Sequence, residues 1–210
     1  MVESAISRSE EILTVAQDFI QTRGYNGFSY RDIAAAIGIK SASIHYHFPT
    51  KGDLGRSVTA RYCDRFGQAL QGILDSENTT RTQLEAYAAL FRDTLVERNR
   101  LCMCCILAGE LETVPKEVKV EIARFFEQQQ QWLAQVLLSG IAKGEVQLPE
   151  VQLPKAQTTE VATNSVAGNW ATTFVAALEG AMLVSRGLDD NAHFDAVTQN
   201  LLTMIFGENE

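Results

Sequence analysis

The chain reads as an all-α protein of about nine helices, and two observations predict this. Apolar residues recur at three- and four-residue spacing in one segment after another along its 210 residues. The stretch Phe28 to Leu54, FSYRDIAAAIGIKSASIHYHFPTKGDL, also carries two short helical patterns that meet at Gly38. A glycine lacks the Cβ that opposes left-handed backbone, so the chain can turn sharply there. The second pattern is polar, with Lys40, Ser41, Ser43, His45, Tyr46 and His47, while Ile33, Ile37, Ile39 and Ile44 are placed to pin the two helices together. Two short helices about a glycine, the second rich in hydrogen-bonding groups, form the sequence pattern of a helix-turn-helix.

Each element has its own signals. Helix one is expected from about Ser7 to Thr22, with Ile12, Ala16, Phe19 and Ile20 on one face and Gly24 as its stop. Helix two follows Ser29, with Asp32 in its first turn where a carboxylate suits the helix dipole. Helix three runs from Lys40 to about His47 and ends at Phe48-Pro49, because proline disfavours helical backbone in the residue before it. Thr50 can cap helix four, which is expected to reach Ser76 as a long rod carrying Leu54, Val58, Tyr62, Phe66, Leu70 and Ile73. Lys51 in its first turn runs against the dipole preference, so a nearby anion such as a DNA phosphate would explain it.

Beyond Asn78-Thr79-Thr80, helix five is expected over about Thr82 to Arg98 with Leu84, Tyr87, Ala88, Phe91 and Leu95 aligned. Helix six, Leu101 to Leu111, is almost wholly apolar and should be buried on most sides. Pro115 opens helix seven, which runs to about Lys143. Residues 146–165, with two prolines and an imperfect VQLP repeat, read as a long connection. Trp170 to Arg186 and His193 to Phe206 close the chain, and their apolar residues, Met182 and Phe194 among them, suit a four-helix bundle between two subunits.

Charge is unevenly shared. The formal net charge is −8, yet residues 1–62 carry seven Lys/Arg and six Asp/Glu, leaving about −9 for the remaining 148. A near-neutral module on an acidic body fits a DNA reader whose body is kept off the phosphates. No apolar run approaches the ~20 residues of a membrane span, and the N-terminus lacks a signal pattern, so a cytoplasmic location with reduced cysteines is expected.

Residues 12 to 54 resemble the N-terminal module of TetR-type transcriptional regulators. The resemblance is carried by Arg23-Gly24-Tyr25, by FSYRDIAAAIGI, and above all by Tyr46-His47-Phe48-Pro49-Thr50-Lys51 at its expected distance from Gly38. It covers about a fifth of the chain closely, and two positions depart from it. Ala42 and His45 stand where the family usually has glycine and tyrosine, which leaves the fold expectation intact and the base preference open.

The resemblance implies a DNA-binding domain at 1–52, a regulatory and dimerisation domain at 53–210, a homodimer on a near-palindromic operator, and release by a small-molecule or thiol-reactive inducer. Lys40, Ser41, Ser43 and His45 are the expected neighbours of base edges. Tyr46, His47, Thr50 and Lys51 are expected on phosphates, and Ser29 and Tyr30 complete the DNA-binding set. An inducer cavity would draw its lining from Tyr62, Phe66, Tyr87, Phe91, Cys104, Phe125, Trp170 and Phe174.

The cluster Cys102-Met103-Cys104-Cys105 admits three readings. Core packing is one, since free cysteine is among the most buried residue types. A reactive thiol is another: Arg98 and Arg100 precede Cys102 in the first turn of helix six, and positive charge with a helix N-terminus favours thiolate. Cys104 or Cys105 would then resolve a sulfenic acid. A metal-binding sensor is the weakest, because C-x-C-C is not a zinc-ribbon spacing and only Cys63 remains elsewhere. No cofactor is implied. With no G-x-S-x-G, Gly-rich phosphate loop, H-E-x-x-H or C-x-x-C, an enzyme, including a thiol oxidoreductase, is not expected.

Overall fold

The computed structural model describes residues 7–148 and 160–207. Among them are nine α-helices: α1 Arg8–Arg23, α2 Tyr30–Ile37, α3 Ser41–His47, α4 Lys51–Ser76, α5 Thr80–Leu95, α6 Met103–Gly109, α7 Lys116–Ala142, α8 Glu160–Leu188 and α9 Ala192–Phe206. A short 3₁₀ turn, Tyr25–Gly27, links α1 to α2. No described helix is long and apolar enough to cross a membrane.

The helices form two compact units. The first comprises residues 1–65 and 101–125, the second 66–100 and 126–210. The first unit therefore takes in more than the 1–52 segment that the helix-turn-helix pattern delimits.

Local chemistry explains where the helices of the first unit begin and end. Ser7 caps α1 by accepting the Glu10 N–H, and Gly24 (φ 76°) ends it. The Asp32 carboxylate accepts from both the Ser29 N–H and the Ser29 hydroxyl at 2.7 Å, which completes a capping box at the start of α2. Gly38 takes φ 70°, ψ 36° to make the turn into α3. Thr50 and Asp53 form a second box at α4, with the Asp53 N–H donating to the Thr50 hydroxyl and the Asp53 carboxylate accepting back.

This unit is closed around its core by elements distant in sequence. Ile12, Ile20, Ile33, Ile44, Leu54 and Val118 are fully or almost fully buried. The segment 101–113 clasps the end of α1: Gln21 donates to the Leu101 carbonyl, the Tyr25 N–H donates to the Glu110 carboxylate, and Asn26 donates to Thr113. Gly55 admits the Tyr25 ring, since a Cβ there would lie 2.7 Å from Tyr25 Cε2 and 3.0 Å from Val118 Cγ2. Arg61 reaches Glu10, Thr14 and Gln17 to tie α4 to α1.

The second unit is built on an aromatic cluster. Tyr87 is fully buried, stacked on Trp132 at 5.5 Å and flanked by Phe91 at 5.2 Å, Phe174 at 5.9 Å and Phe66 at 6.2 Å. Its hydroxyl donates to the buried Gln129 side chain at 2.6 Å. α8 packs on α9, and α5 packs on both.

Several boundaries differ from those the sequence predicts. α5 starts at Thr80 rather than Thr82, because the Thr79 hydroxyl caps it by accepting the Thr82 N–H. α6 is shorter than 101–111, with Cys102 at its N-cap rather than in its first turn. α8 already begins at Glu160, so the expected connection over 146–165 is partly helix, and residues 149–159 lie outside the described residues. Met182 and Phe194, expected to face a second subunit, are each 1% exposed and belong to the core of their own chain. Among the described residues, the large apolar side chains left exposed on α8 and α9 are Leu183, Val184, Leu188 and Met204.

Candidate nucleic-acid interface

The site begins with a seven-residue helix whose inner face is a single buried side chain, Ile44. Everything else on α3 is exposed or partly exposed: Ser41, Ala42, Ser43, His45, Tyr46 and His47, with Lys40 at the N-cap. Tyr46 is 84% exposed, the most exposed of the large hydrophobic side chains among the described residues. A short helix presenting its whole polar face to solvent is a surface built to meet a partner.

Its footing is rigid. Tyr30 is buried under α3, and its hydroxyl lies 2.9 Å from the Phe48 carbonyl and 2.6 Å from that of Thr50. Burial, reinforced by the Asp53 carboxylate and Tyr25, pushes the Tyr30 pKa up to about 12, so the phenol stays protonated and keeps donating. The His45 ring packs on Tyr30 at 4.6 Å, and its Nδ1 lies 3.3 Å from the Pro49 carbonyl.

Lys51 has a different surrounding from the one its sequence position suggests. Its ammonium donates to the Phe28 carbonyl at 2.6 Å and sits over the Phe28 ring at 4.4 Å and the Tyr25 ring at 4.9 Å. Burial lowers its pKa, against the opposing pull of Glu110 and Asp32. One of its three N–H donors is thus used within the chain. The Tyr25 hydroxyl completes the junction by donating to the Lys51 carbonyl at 2.9 Å.

The ten residues of the sequence-derived DNA-binding set therefore divide into two groups. Lys40, Ser41, Ser43, His45, Tyr46 and His47 lie on the outward face of the recognition helix or at its cap. Ser29, Tyr30, Thr50 and Lys51 are engaged internally, as caps, brace and tether. Arg31 was missed. It is exposed, and it shares an open depression of about 650 Å³ with Phe28, Ser29, Tyr30, Ser41, His45 and Lys51. A free arginine one residue past the start of α2 was the signal that was available.

Phe66, Tyr87, Phe91 and Phe174 do come together, around Tyr87. Trp132, which the sequence places only on the inner side of its helix, joins them with an indole N–H that is buried and has no hydrogen-bond partner among the described residues. Trp170 is partly buried on α8. Tyr62 and Phe125 pair with each other at 5.4 Å in the first unit, where Cys104 also lies.

Of the cysteines, Cys102 and Cys104 are buried and Cys105 is partly exposed. Cys104 hydrogen-bonds Cys63 and holds its pKa below the ordinary thiol value, and the Cys63 thiol also donates to the Glu121 carbonyl at 3.4 Å. Among the described residues no group of three His, Cys, Asp or Glu is placed to hold a metal ion.

An all-α chain with a rigidly footed helix-turn-helix defines a DNA-binding transcriptional regulator. Residues 12–58 match the family model for bacterial regulatory proteins of the tetR family. The chain is 32% identical to a TetR-family transcriptional regulator from Agrobacterium tumefaciens, with a TM-score of 0.84 over 94% of this chain and 97% of that one. It is 28% identical to a TetR regulator from Legionella pneumophila, with a TM-score of 0.79 over 96% and 99%. Among curated proteins it is 31% identical to the HTH-type transcriptional repressor KstR2 of Mycolicibacterium smegmatis over 142 residues, 66% of this chain and 67% of that protein. The chain belongs to the TetR family.

Proposed function

We propose that the protein is a non-enzymatic, cytoplasmic repressor that binds a near-palindromic DNA operator as a homodimer and leaves it when the body takes up a small molecule. The observation that carries this reading is the outward face of α3. Lys40, Ser43, Tyr46 and His47 are exposed on a helix whose footing, through Tyr30, Thr50 and Lys51, is locked by hydrogen bonds. Such a helix enters the major groove without ordering cost, with Lys40 and Ser43 toward base edges and Tyr46, His47 and Arg31 toward phosphates.

The second subunit is assigned to the apolar residues left exposed on α8 and α9, Leu183, Leu188 and Met204. The inducer is assigned to the aromatic cluster around Tyr87, where Trp132 offers an unused indole donor to a ligand acceptor. The buried Cys102 and Cys104 favour a ligand over a thiol-reactive inducer, because a thiol shut off from water meets oxidants slowly.

The test is selection of binding sites from random DNA, followed by affinity and mass measurements. The expected result is a near-palindrome with half-site centres about 34 Å or a multiple apart. Leu183→Arg and Met204→Arg should give folded monomers that bind this site at least 100-fold more weakly. No enrichment, or tight binding by a wild-type monomer to one half-site, would sink the reading.

A further inference from the structure

His45 stands where the resemblance places a tyrosine, and its surroundings fix more than its position. Its ring is held on two sides, by the Tyr30 ring at 4.6 Å and by the Pro49 carbonyl 3.3 Å from Nδ1. Tyr30 in turn is held by the Phe48 and Thr50 carbonyls. A carbonyl oxygen only accepts, so Nδ1 must carry the hydrogen. In a neutral imidazole the other nitrogen is then a lone-pair acceptor. Nε2 of this exposed residue makes no hydrogen bond among the described residues.

We infer that His45 is a specificity-determining residue, presenting Nε2 as a fixed hydrogen-bond acceptor to an exocyclic amino group on a major-groove base edge, adenine N6 or cytosine N4. Only those two groups donate in the major groove, whereas guanine N7 and O6 and thymine O4 accept. A freely rotating histidine could present either nitrogen and would discriminate weakly. The Pro49 carbonyl and the Tyr30 ring remove that freedom before DNA arrives.

Arg31 and Lys51 share the depression with His45. The carboxylates on the neighbouring elements, Asp32 and Asp53, are each occupied in a helix cap, and the Tyr30 phenol stays neutral. Protonation turns Nε2 into a donor, which opposes an amino group and suits guanine or a phosphate instead. Base preference at the His45 position is therefore coupled to pH.

This inference rests on the DNA-binding reading, and one experiment separates the two. Full-length wild type and His45→Phe are each put through selection from random DNA at pH 8. Affinities for the selected site and its single-position variants are then measured at pH 8.0 and pH 5.5. Phenylalanine keeps the ring against Tyr30 and removes the acceptor.

The wild type is expected to favour adenine or cytosine at one symmetry-related position by about five-fold, the worth of one net hydrogen bond. That preference should shrink to under two-fold at pH 5.5. His45→Phe should lose it at both pH values while every other position, and the salt dependence, stays as in wild type. A uniform loss on all sequences with a shallower salt slope would make His45 a phosphate contact and overturn the inference. So would a wild-type preference indifferent to pH. Failure of the wild type to enrich any sequence would instead strike the DNA-binding reading itself.

Discussion

Around the recognition helix, the bonds that fix the geometry span short stretches of chain. Tyr30 reaches Thr50 across 20 positions, Lys51 reaches Phe28 across 23, and each capping box closes over three. In the second unit the comparable bonds are long: Tyr87 to Gln129 across 42 positions, Thr80 to Glu145 across 65, Arg186 to Asn99 across 87, and Arg92 to Asp195 across 103. The difference separates two ways of making a surface. A DNA-reading helix needs ångström placement from a few neighbours. A core of aromatic rings needs only that distant helices arrive together.

The largest effect should come from breaking the long-range side. Phe174 is fully buried against Tyr87, and Phe174→Ala is expected to cost about 3–5 kcal/mol of unfolding free energy. Denaturant titration measures it. A loss below about 1 kcal/mol would mean that the ring lines empty space instead of packing on Tyr87.

A smaller effect tests the local side. Thr50→Ala removes a hydroxyl from the α4 capping box and should cost about 1 kcal/mol, with DNA affinity falling further than stability because α3 is footed on the same turn. The α2 box adds a pH signature. The hydrogen bonds from Ser29 hold the Asp32 carboxyl below its usual range. Its folded pKa being depressed, the contribution is present above about pH 3.9 and is lost as pH falls through the lower, folded value. Asp32→Asn should flatten that part of the acid unfolding curve, and an unaltered acid limb would show the box to be idle.

The smallest effect is expected at the surface. Arg92 pairs with Asp195 through two bonds of 2.7 and 3.1 Å, yet both side chains are nearly half exposed. A double-mutant cycle should return about 0.2–1 kcal/mol. A larger coupling would mean that long-range polar contacts carry the second unit as firmly as short ones carry the recognition helix.

Legibility followed the same division. The caps at Ser29 and Thr50, the turn at Gly38 and the stop at Phe48-Pro49 were all readable, because each is a property of three or four adjacent residues. The aromatic helices were readable as helices, but which rings would meet was not: Tyr62 pairs with Phe125, and Trp132 stacks on Tyr87. Periodicity marks an inner face and leaves its neighbour unspecified. Met182 and Phe194 show the same limit, since an apolar stripe looks alike whether its own chain or a second copy covers it. Lys51 shows another. Charge and position point to an anion, and the additional tether to Phe28 is visible only once the chain has turned back on itself.

One feature of the chain path bears on inheritance. The first unit is not a contiguous stretch: the polypeptide leaves it after Arg65 and re-enters at Leu101, bringing the three hydrogen bonds by which Leu101, Glu110 and Thr113 hold the end of α1. A single recombination crossover just past residue 52 would transplant the reading helix and leave those partners behind. A hybrid joined there would receive a head gripped by a stranger's residues at the Gln21, Tyr25 and Asn26 positions. Swapping DNA specificities between relatives should therefore succeed by exchanging α3 residues within an intact chain, or by carrying 101–125 along with the head, and should fail at the junction that the motif alone suggests.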